Sequence, residues 1–202
     1  TTIDRLTYEM MAKYNQNTAI IYNTFQMYRH DMLANLKEAI TSAEKKNYCL
    51  GVKLVRGAYL EKERQKAHDD EYSEPLHVCK EDTDRDYDLG VELCLKHVDR
   101  VHFCMGTHNE ASCLRLCDAM NALQIPANHP HIYFAQLLGM SDNISYNLAA
   151  SGYNVAKYVP YGPVDAVMPY LFRRAEENSS IAGQTSREFA LLQKEVNRRN
   201  KP

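Results

Sequence analysis

The chain has 202 residues, of which 45% are hydrophobic and 25% charged, a composition typical of globular domains and not of disordered or fibrous chains. Its 24 basic and 26 acidic residues give a net charge of −2, without the basic excess that nucleic-acid-binding surfaces usually carry. No stretch approaches the roughly 20 apolar residues of a membrane span. We therefore expect one domain with a sizeable core and no nucleic-acid partner. Because the first four residues show neither an initiator methionine nor a signal-peptide pattern, we expect a cut end.

Helical and strand patterns alternate along the chain. Apolar residues at helical spacing indicate the helices, and runs of β-branched and aromatic residues indicate the strands. The predicted elements, in chain order, are helix 6–14, strand 19–28, helix 29–46, strand 49–59, helix 61–68, helix 84–98, strand 101–108, helix 109–123, strand 131–136, helix 142–150, strand 154–159, helix 163–178 and helix 186–199. The acidic, irregular segment 69–83, which contains Pro75, is expected to be a mobile insertion.

Five strands that alternate with helices predict an α/β domain with a parallel sheet. No glycine-rich phosphate-binding pattern follows any strand, which argues against a dinucleotide-binding or P-loop domain. The remaining candidate is a (β/α)8 barrel of the TIM type. Since a full barrel needs about 250 residues, we expect this chain to supply about five of its eight strands.

The six cysteines form no CxxC pair. Reduced thiols in a reducing compartment are therefore the expectation, and a zinc site is the alternative.

Polar and aromatic residues collect where the predicted strands end, which is the active-site edge of a (β/α) barrel. They include no cluster of carboxylates and no nucleophile elbow, so no metal site is expected. Such a set suits a planar aromatic cofactor and a small anionic substrate. Its members are Gln26, Tyr28, Lys53, Arg56, Tyr59, Thr107, His108, Asn109, Gln136, Lys157, Tyr158 and Tyr161.

Two basic features stand out. Lys53 lies inside an apolar strand, where a lysine needs either a functional role or an ion pair. Arg173 and Arg174 follow Tyr170 on a partly apolar helix, and a solvated surface pair is the alternative to a role in binding. If they are partly buried, two guanidiniums need an anion, and a substrate carboxylate would meet that need.

Five segments resemble the proline dehydrogenase (proline oxidase) family, in the family's order and at its spacing over roughly residues 5–195. The segments are Val52-Lys-Leu-Val-Arg-Gly-Ala-Tyr59, Gly106-Thr-His-Asn109, Phe134-Ala-Gln-Leu-Leu-Gly-Met140, Lys157-Tyr-Val-Pro-Tyr-Gly-Pro163, and Tyr170-Leu-Phe-Arg-Arg174 with Glu177-Asn178. The resemblance implies that residues 1–202 are the C-terminal part of the family's FAD-binding barrel, with a final helix over 186–202.

The resemblance also implies roles for individual residues. The catalytic and substrate-binding positions that it implies are Arg173, Arg174, Tyr158, Tyr170 and Lys53, with the arginines on the proline carboxylate and the tyrosines as pocket walls. The implied cofactor-binding positions are Gln26, Lys53, Val55, Gly57, Ala58, Tyr59, Thr107, His108, Asn109, Gln136 and Glu177.

The implied reaction is oxidation of L-proline to Δ1-pyrroline-5-carboxylate, with a hydride passing from proline C5 to flavin N5 and electrons then passing to a quinone. That acceptor implies peripheral association with a membrane. The expected location is the matrix side of the mitochondrial inner membrane in a eukaryote, or the cytoplasmic face of the inner membrane in a bacterium.

The family's first strands would precede residue 1, so we expect an upstream segment to be missing from this chain or supplied by another chain. Two alternatives stay open. Hydroxyproline dehydrogenase is a sister family, but it tends to have a small residue where Tyr158 stands. A non-catalytic barrel fragment that acts as an interaction module is the other, and flavin colour would separate it from an enzyme.

Overall fold

The computed structural model describes residues 2–180 and 182–200, and the side chains of those residues outside 174–188. The chain divides into two compact units. The first comprises Thr1–Gln136 with Asp142–Lys157, and the second comprises Leu137–Ser141 with Tyr158–Pro202.

Helices and strands alternate through most of the described chain. They are α1 Thr2–Tyr14, β1 Asn23–Gln26, α2 Met32–Lys46, β2 Leu50–Val55, α3 Leu60–Asp69, α4 Lys80–Lys96, β3 Val101–Gly106, α5 Glu110–Ala122, β4 Ile132–Leu137, α6 Asp142–Ala150, β5 Val155–Tyr158, α7 Val164–Ser180 and α8 Ala182–Arg199.

The five strands form one sheet in the order β1-β2-β3-β4-β5. The first four are joined by parallel ladders, in which Phe25 pairs with Leu54 and Leu54 with Met105. Strand β5 follows through hydrogen bonds from the Phe134 amide to the Asn154 carbonyl and from the Leu138 amide to the Tyr158 carbonyl. Parallel strands joined by helices confirm the predicted α/β class with a parallel sheet.

The core lies on one face of this sheet. Side chains alternate along a strand, so every second residue points to the same face. Phe25, Leu54 and Met105 are buried there, and they pack in one cluster with apolar residues of the helices, such as Leu36 and Tyr87. The opposite face carries the polar and half-buried residues of the same strands and is therefore the face on which a site can form.

Strand β1 is shorter than the sequence predicts because Asn15 satisfies the backbone that precedes it. This fully buried residue accepts from the amides of Ile20 and Ile21 at 3.0 Å through Oδ1. Its Nδ2 donates to the carbonyls of Ile21 and Cys49 at 2.8 and 3.0 Å. Residues 20 and 21 therefore bond to one side chain instead of to a neighbouring strand.

Four helix starts also differ from prediction by three residues or more. Helix α1 begins at Thr2 and not at 6, and helix α2 begins at Met32 and not at 29. Helix α4 begins at Lys80 and not at 84. Glu81 and Asp82 place negative charge on its first turn, which favours a helix start there. Helix α8 begins at Ala182 and not at 186.

The segment between α3 and α4 is bonded to the end of β1. The His30 amide donates to the Pro75 carbonyl at 3.1 Å, and the His77 amide donates to the Tyr28 carbonyl at 2.8 Å. Leu76 is buried. The mobility expected for residues 69–83 stays a prediction.

Candidate functional site

The carboxyl ends of β1 and β2 present three of the predicted cofactor-binding residues on the open face of the sheet. Gln26 and Val55 are paired in the ladder, and Lys53 pairs with Cys104 of β3. Gln26, Lys53 and Val55 are half-buried, whereas their neighbours Phe25 and Leu54 point to the core. An amide and an ammonium group therefore lie on one face, two residues apart along the strand direction.

Gly106 gives this face its shape. A Cβ atom at that position would lie 3.1 Å from Cγ1 of Val55 and from the Leu54 carbonyl oxygen, and 3.8 Å from Cε of Lys53. The missing side chain lets Val55 and the aliphatic stem of Lys53 lie close to the end of β3. The result is a low, flat surface beside an ammonium group, which suits a planar ring.

The pKa of the Cys104 thiol is sensitive to the charge on the same face of the sheet. Burial raises the pKa of the Cys104 thiol, and the positive charge of Lys53 opposes that rise. The cysteine is therefore a neutral thiol near neutral pH, and Lys53 supplies the positive charge in this row of the sheet.

The residues after β2 form a turn that depends on a glycine. Gly57 has a φ of +136°, and a Cβ there would lie 1.5 Å from Cδ1 of Tyr28. Any other residue would therefore be strained and would collide with that ring. Ala58 is exposed, and Tyr59 stands at the N-cap of α3 with 40% of its surface exposed.

The turn after β3 is built by its own side chains. Oγ1 of Thr107 accepts from the Asn109 amide at 3.1 Å, and Oδ1 of Asn109 accepts from the Ser112 amide at 3.1 Å, which caps α5. His108 lies between them and is half-buried. Three consecutive predicted residues therefore form one ordered turn at a strand end.

Gln136 points to the helical layer. Its Nε2 donates to the Thr107 carbonyl at 3.2 Å, and its Oε1 accepts from the Ser145 hydroxyl at 2.9 Å. The side chain is buried, because even-numbered residues of β4 face the core. A role for Gln136 in cofactor binding stays a prediction, and its hydrogen bonds support the Thr107 turn.

Sequence reasoning missed the partners that hold these strand ends. Arg56, one residue beyond β2, bonds to Asp84 of α4, to Thr107 and to Ser112 of α5. Glu63 of α3 accepts from the Tyr28 hydroxyl and from Nη1 of Arg29. Burial, with the Glu63 carboxylate, raises the pKa of Tyr28. Only the position of Arg56 at a strand end signalled its role, since no local pattern links an arginine to residues 28 to 56 positions away.

The second unit carries the predicted substrate residues. The rings of Tyr158 and Tyr170 lie 5.4 Å apart, centroid to centroid. Helix α7 contains both Arg173 and Arg174, as predicted, and Arg173 is half-buried. The side chains of Arg174 and Glu177 lie outside the described residues. Lys157, at the end of the first unit, is paired with Asp142 at 2.8 Å.

The family model described as proline dehydrogenase matches residues 1–187. This chain belongs to the proline dehydrogenase family. Its sequence is 43% identical over 201 residues to human "Proline dehydrogenase 1, mitochondrial", covering 98% of this chain and 33% of the human protein. It is 39% identical over 198 residues to the "Hydroxyproline dehydrogenase" of Xenopus laevis, covering 96% of this chain and 42% of that protein. The resemblance drawn from the five sequence segments is thereby confirmed.

Solved structures of the family share the fold. The proline utilization A protein of Bdellovibrio bacteriovorus, in a structure titled as inactivated by N-propargylglycine, matches with a TM-score of 0.81 and 25% identity. The match covers 91% of this chain and 19% of that protein. This proline dehydrogenase family chain thus spans about a third of the human relative's length and a fifth of the bacterial one's.

Within the described residues, no helix is both long and apolar enough to cross a membrane. Within the same residues, no group of three or more histidine, cysteine, aspartate or glutamate side chains is arranged to hold a metal ion.

Proposed function

We propose that the protein carrying this chain oxidises L-proline to Δ1-pyrroline-5-carboxylate in proline catabolism, with FAD as its cofactor. The observation that carries the proposal is the row of Gln26, Lys53 and Val55 on the open face of the sheet, at the strand ends. The chain that carries this row of residues belongs to the proline dehydrogenase family. The chain supplies the C-terminal part of the catalytic barrel.

The residues of this face fit a flavin. The flat surface beside Gly106 suits a planar ring, since a Cβ there would press on Val55 and approach Lys53. The Gln26 amide and the Lys53 ammonium are donors, which suit the carbonyls and nitrogens of the ring. A bound flavin supplies the hydride acceptor that no amino-acid side chain provides. The residues after β2, Gly57, Ala58 and Tyr59, and the turn Thr107–Asn109 would hold the rest of the cofactor.

Each side chain then has a defined task. Lys53 would place a fixed positive charge beside a bound flavin, where it would stabilise the negative charge of the reduced ring. Arg173 and Arg174 bind the proline carboxylate with forked donors. Tyr158 and Tyr170 form an aromatic wall for the proline ring. Glu177 belongs to the cofactor-binding set.

Proline is the preferred substrate over hydroxyproline, although one relative carries the name hydroxyproline dehydrogenase. Tyr158 supports this choice, because its ring stands against Tyr170 and occupies the volume that a ring hydroxyl would need. A non-catalytic interaction module is the competing class, and bound flavin would exclude it.

Three further partners complete the proposal. A quinone accepts the electrons, at a membrane surface with which the protein associates peripherally. An upstream barrel segment, on the same chain or on another, completes the fold, since this chain covers only 33% of the human relative. That relative's printed name supports a mitochondrial location, at the matrix side of the inner membrane, if the source is a eukaryote. In a bacterium the location is the cytoplasmic face of the inner membrane.

The experiment is anaerobic titration of the purified full-length protein with proline. We expect flavin absorbance that bleaches on addition of proline, and an Arg173→Met variant whose KM for proline is raised by about tenfold or more, since a charged hydrogen bond is worth about 1.5–3 kcal/mol. Arg85→Met, at an exposed arginine of α4, is the matched control and leaves KM unchanged. A colourless protein would contradict the flavin, and an unchanged KM in Arg173→Met would contradict the carboxylate site.

A further inference from the structure

We infer that Arg56 is a positioning residue for cofactor binding, which acts by fixing the turn Thr107–Asn109. The inference rests on the proposed function, in which that turn holds part of FAD. Arg56 itself lies beside the turn and bonds to Thr107 through its guanidinium.

The guanidinium of Arg56 joins three elements at one point. Nη1 donates to Oγ1 of Thr107 at 2.8 Å, Nη2 donates to Oγ of Ser112 at 2.9 Å, and Nε donates to Asp84. Because these donors lie in one rigid plane, the end of β2, the turn after β3 and the starts of α4 and α5 are fixed in one geometry.

The plane of the guanidinium is itself held. It lies over the ring of Tyr87, with Cζ 4.2 Å from the ring centroid. Tyr87 is fully buried, and its hydroxyl donates to the Gly106 carbonyl at 3.3 Å. The Tyr87 ring is therefore anchored one residue before the turn, and its cation–π contact with Arg56 fixes the orientation of the guanidinium plane.

Thr107 transmits this order to the turn. Its Oγ1 accepts from Arg56 and also from the Asn109 amide, so the side chain that sets the backbone of the turn is oriented by the arginine. The hydroxyl of Ser112, which accepts from Arg56, donates to Asp88 at 2.7 Å. The amide of Ser112 donates to the capping oxygen of Asn109. Without Arg56, Oγ1 of Thr107 would lose one of the donors that orient it, and the acceptor of the Asn109 amide would be less firmly held.

The variant Arg56→Lys distinguishes two roles of Arg56, the ion pair with Asp84 and the positioning of the turn Thr107–Asn109. It keeps a positive charge for Asp84, and so preserves the ion pair that ties β2 to α4. It cannot donate in one plane to both Thr107 and Ser112. A purely structural role of Arg56 is therefore retained in Arg56→Lys, whereas positioning of the turn is lost.

The test uses full-length protein depleted of flavin and measures the Kd for FAD by flavin fluorescence. We expect Arg56→Lys to weaken FAD binding by about tenfold, as one lost charge-assisted hydrogen bond implies. At saturating FAD, the KM for proline stays at the wild-type value. Arg115→Lys is the matched control, because that exposed arginine pairs with Asp88 in the same cluster and donates nothing to Thr107.

Unchanged FAD affinity in Arg56→Lys overturns the inference while leaving the proposed function intact. A KM for proline that rises together with the Kd for FAD also overturns it, because general distortion then explains both. Wild-type protein that binds no FAD contradicts the proposed function and the inference together. If Arg56→Lys does not fold, Ser112→Ala replaces it: several-fold weaker FAD binding supports the inference, and wild-type binding overturns it.

Discussion

Under the proposed function, Tyr158 is the residue that we expect to decide between proline and hydroxyproline. Its ring lies 5.4 Å from that of Tyr170, inside the second unit, and 47% of its surface is exposed. Replacing Tyr158 with serine removes the aromatic ring and leaves a small side chain whose hydroxyl lies close to the backbone. We expect Tyr158→Ser to raise kcat/KM for hydroxyproline relative to proline, because the pocket gains volume for the ring hydroxyl.

The measurement is a direct comparison of the two substrates in the full-length protein. Tyr161→Ser is the matched control, since this neighbouring tyrosine is fully exposed. An unchanged ratio in Tyr158→Ser would show that Tyr158 does not line the substrate pocket.

Asn15 is the residue on which the start of the sheet depends. Its side chain makes four hydrogen bonds to backbone groups while fully buried. In Asn15→Ala these four backbone groups lose their partner, at a cost of about 1–3 kcal/mol for each group that stays buried and unsatisfied. We expect a loss of several kcal/mol in the free energy of unfolding, measured by urea denaturation. Asn143→Ala, at an exposed position of α6, should stay within about 0.5 kcal/mol of wild type.

Hydrophobic periodicity predicts a strand, but it does not predict a side chain that takes over some of the strand's backbone hydrogen bonds. The strands could be predicted because β-branched and apolar runs recur between amphipathic helices, and their order in the sheet is the chain order that short right-handed connections favour. The length of β1 could not be predicted, since residues 20 and 21 are bonded to Asn15 and not to a strand. Phe25 is buried although β1 lies at the end of the sheet, because its side chain points to the helical face.

The site shows the same division. The strand-end positions of Gln26, Lys53 and Val55 were predictable, because parallel strands end at one edge. The hydrogen bonds of Arg56 and Gln136 could not be predicted. The face to which a strand-end side chain points depends on the residue at which the strand ends, and sequence predicts strand boundaries poorly.

The amino ends of β3 and β4 carry a histidine cluster that makes stability depend on pH. The rings of His102 and His131 are stacked with centroids 3.5 Å apart, and His129 meets His131 edge-on. Nδ1 of His102 accepts from the Ala19 amide at 3.3 Å, so the ring is neutral with its proton on Nε2. Burial, with the neighbouring histidines, lowers the pKa of His102 to about 4 from the ordinary 6.5, and burial also lowers the pKa of His129.

A histidine with a lowered pKa binds protons more readily in the unfolded chain. Stability is therefore highest above about pH 6.5 and falls as the pH decreases toward 4, by up to about 3 kcal/mol for His102. His131 donates to the Val98 carbonyl, and Asp99 partly opposes the shift at His129. We expect His102→Gln to flatten the dependence of the unfolding free energy between pH 6.5 and 4, measured by denaturant titration at each pH. His68→Gln, at an exposed histidine, should leave the slope unchanged, and an equal flattening there would contradict the assignment.

At the scale of the whole molecule, the first strand is the end of the sheet and leaves apolar surface uncovered. Strand β1 has a neighbour on one side only. Ile20 and Tyr22, just before it, are 66% and 40% exposed, and α1 exposes Ile3, Leu6, Met10 and Tyr14 at helical spacing. A sheet edge beside exposed apolar side chains is a surface that pairs with other chains.

We therefore expect residues 1–202, produced alone, to associate in a concentration-dependent way and to retain FAD weakly. Ile20→Lys should reduce that association, measured by sedimentation velocity, because a charge at the edge opposes pairing without disturbing a buried contact. Leu123→Lys is the matched control, at an apolar side chain of similar exposure, 58%, just beyond α5. Equal effects of the two variants would assign the association to general surface hydrophobicity. A monomer at every concentration that binds FAD at full stoichiometry would show that the chain needs no upstream segment at its first strand.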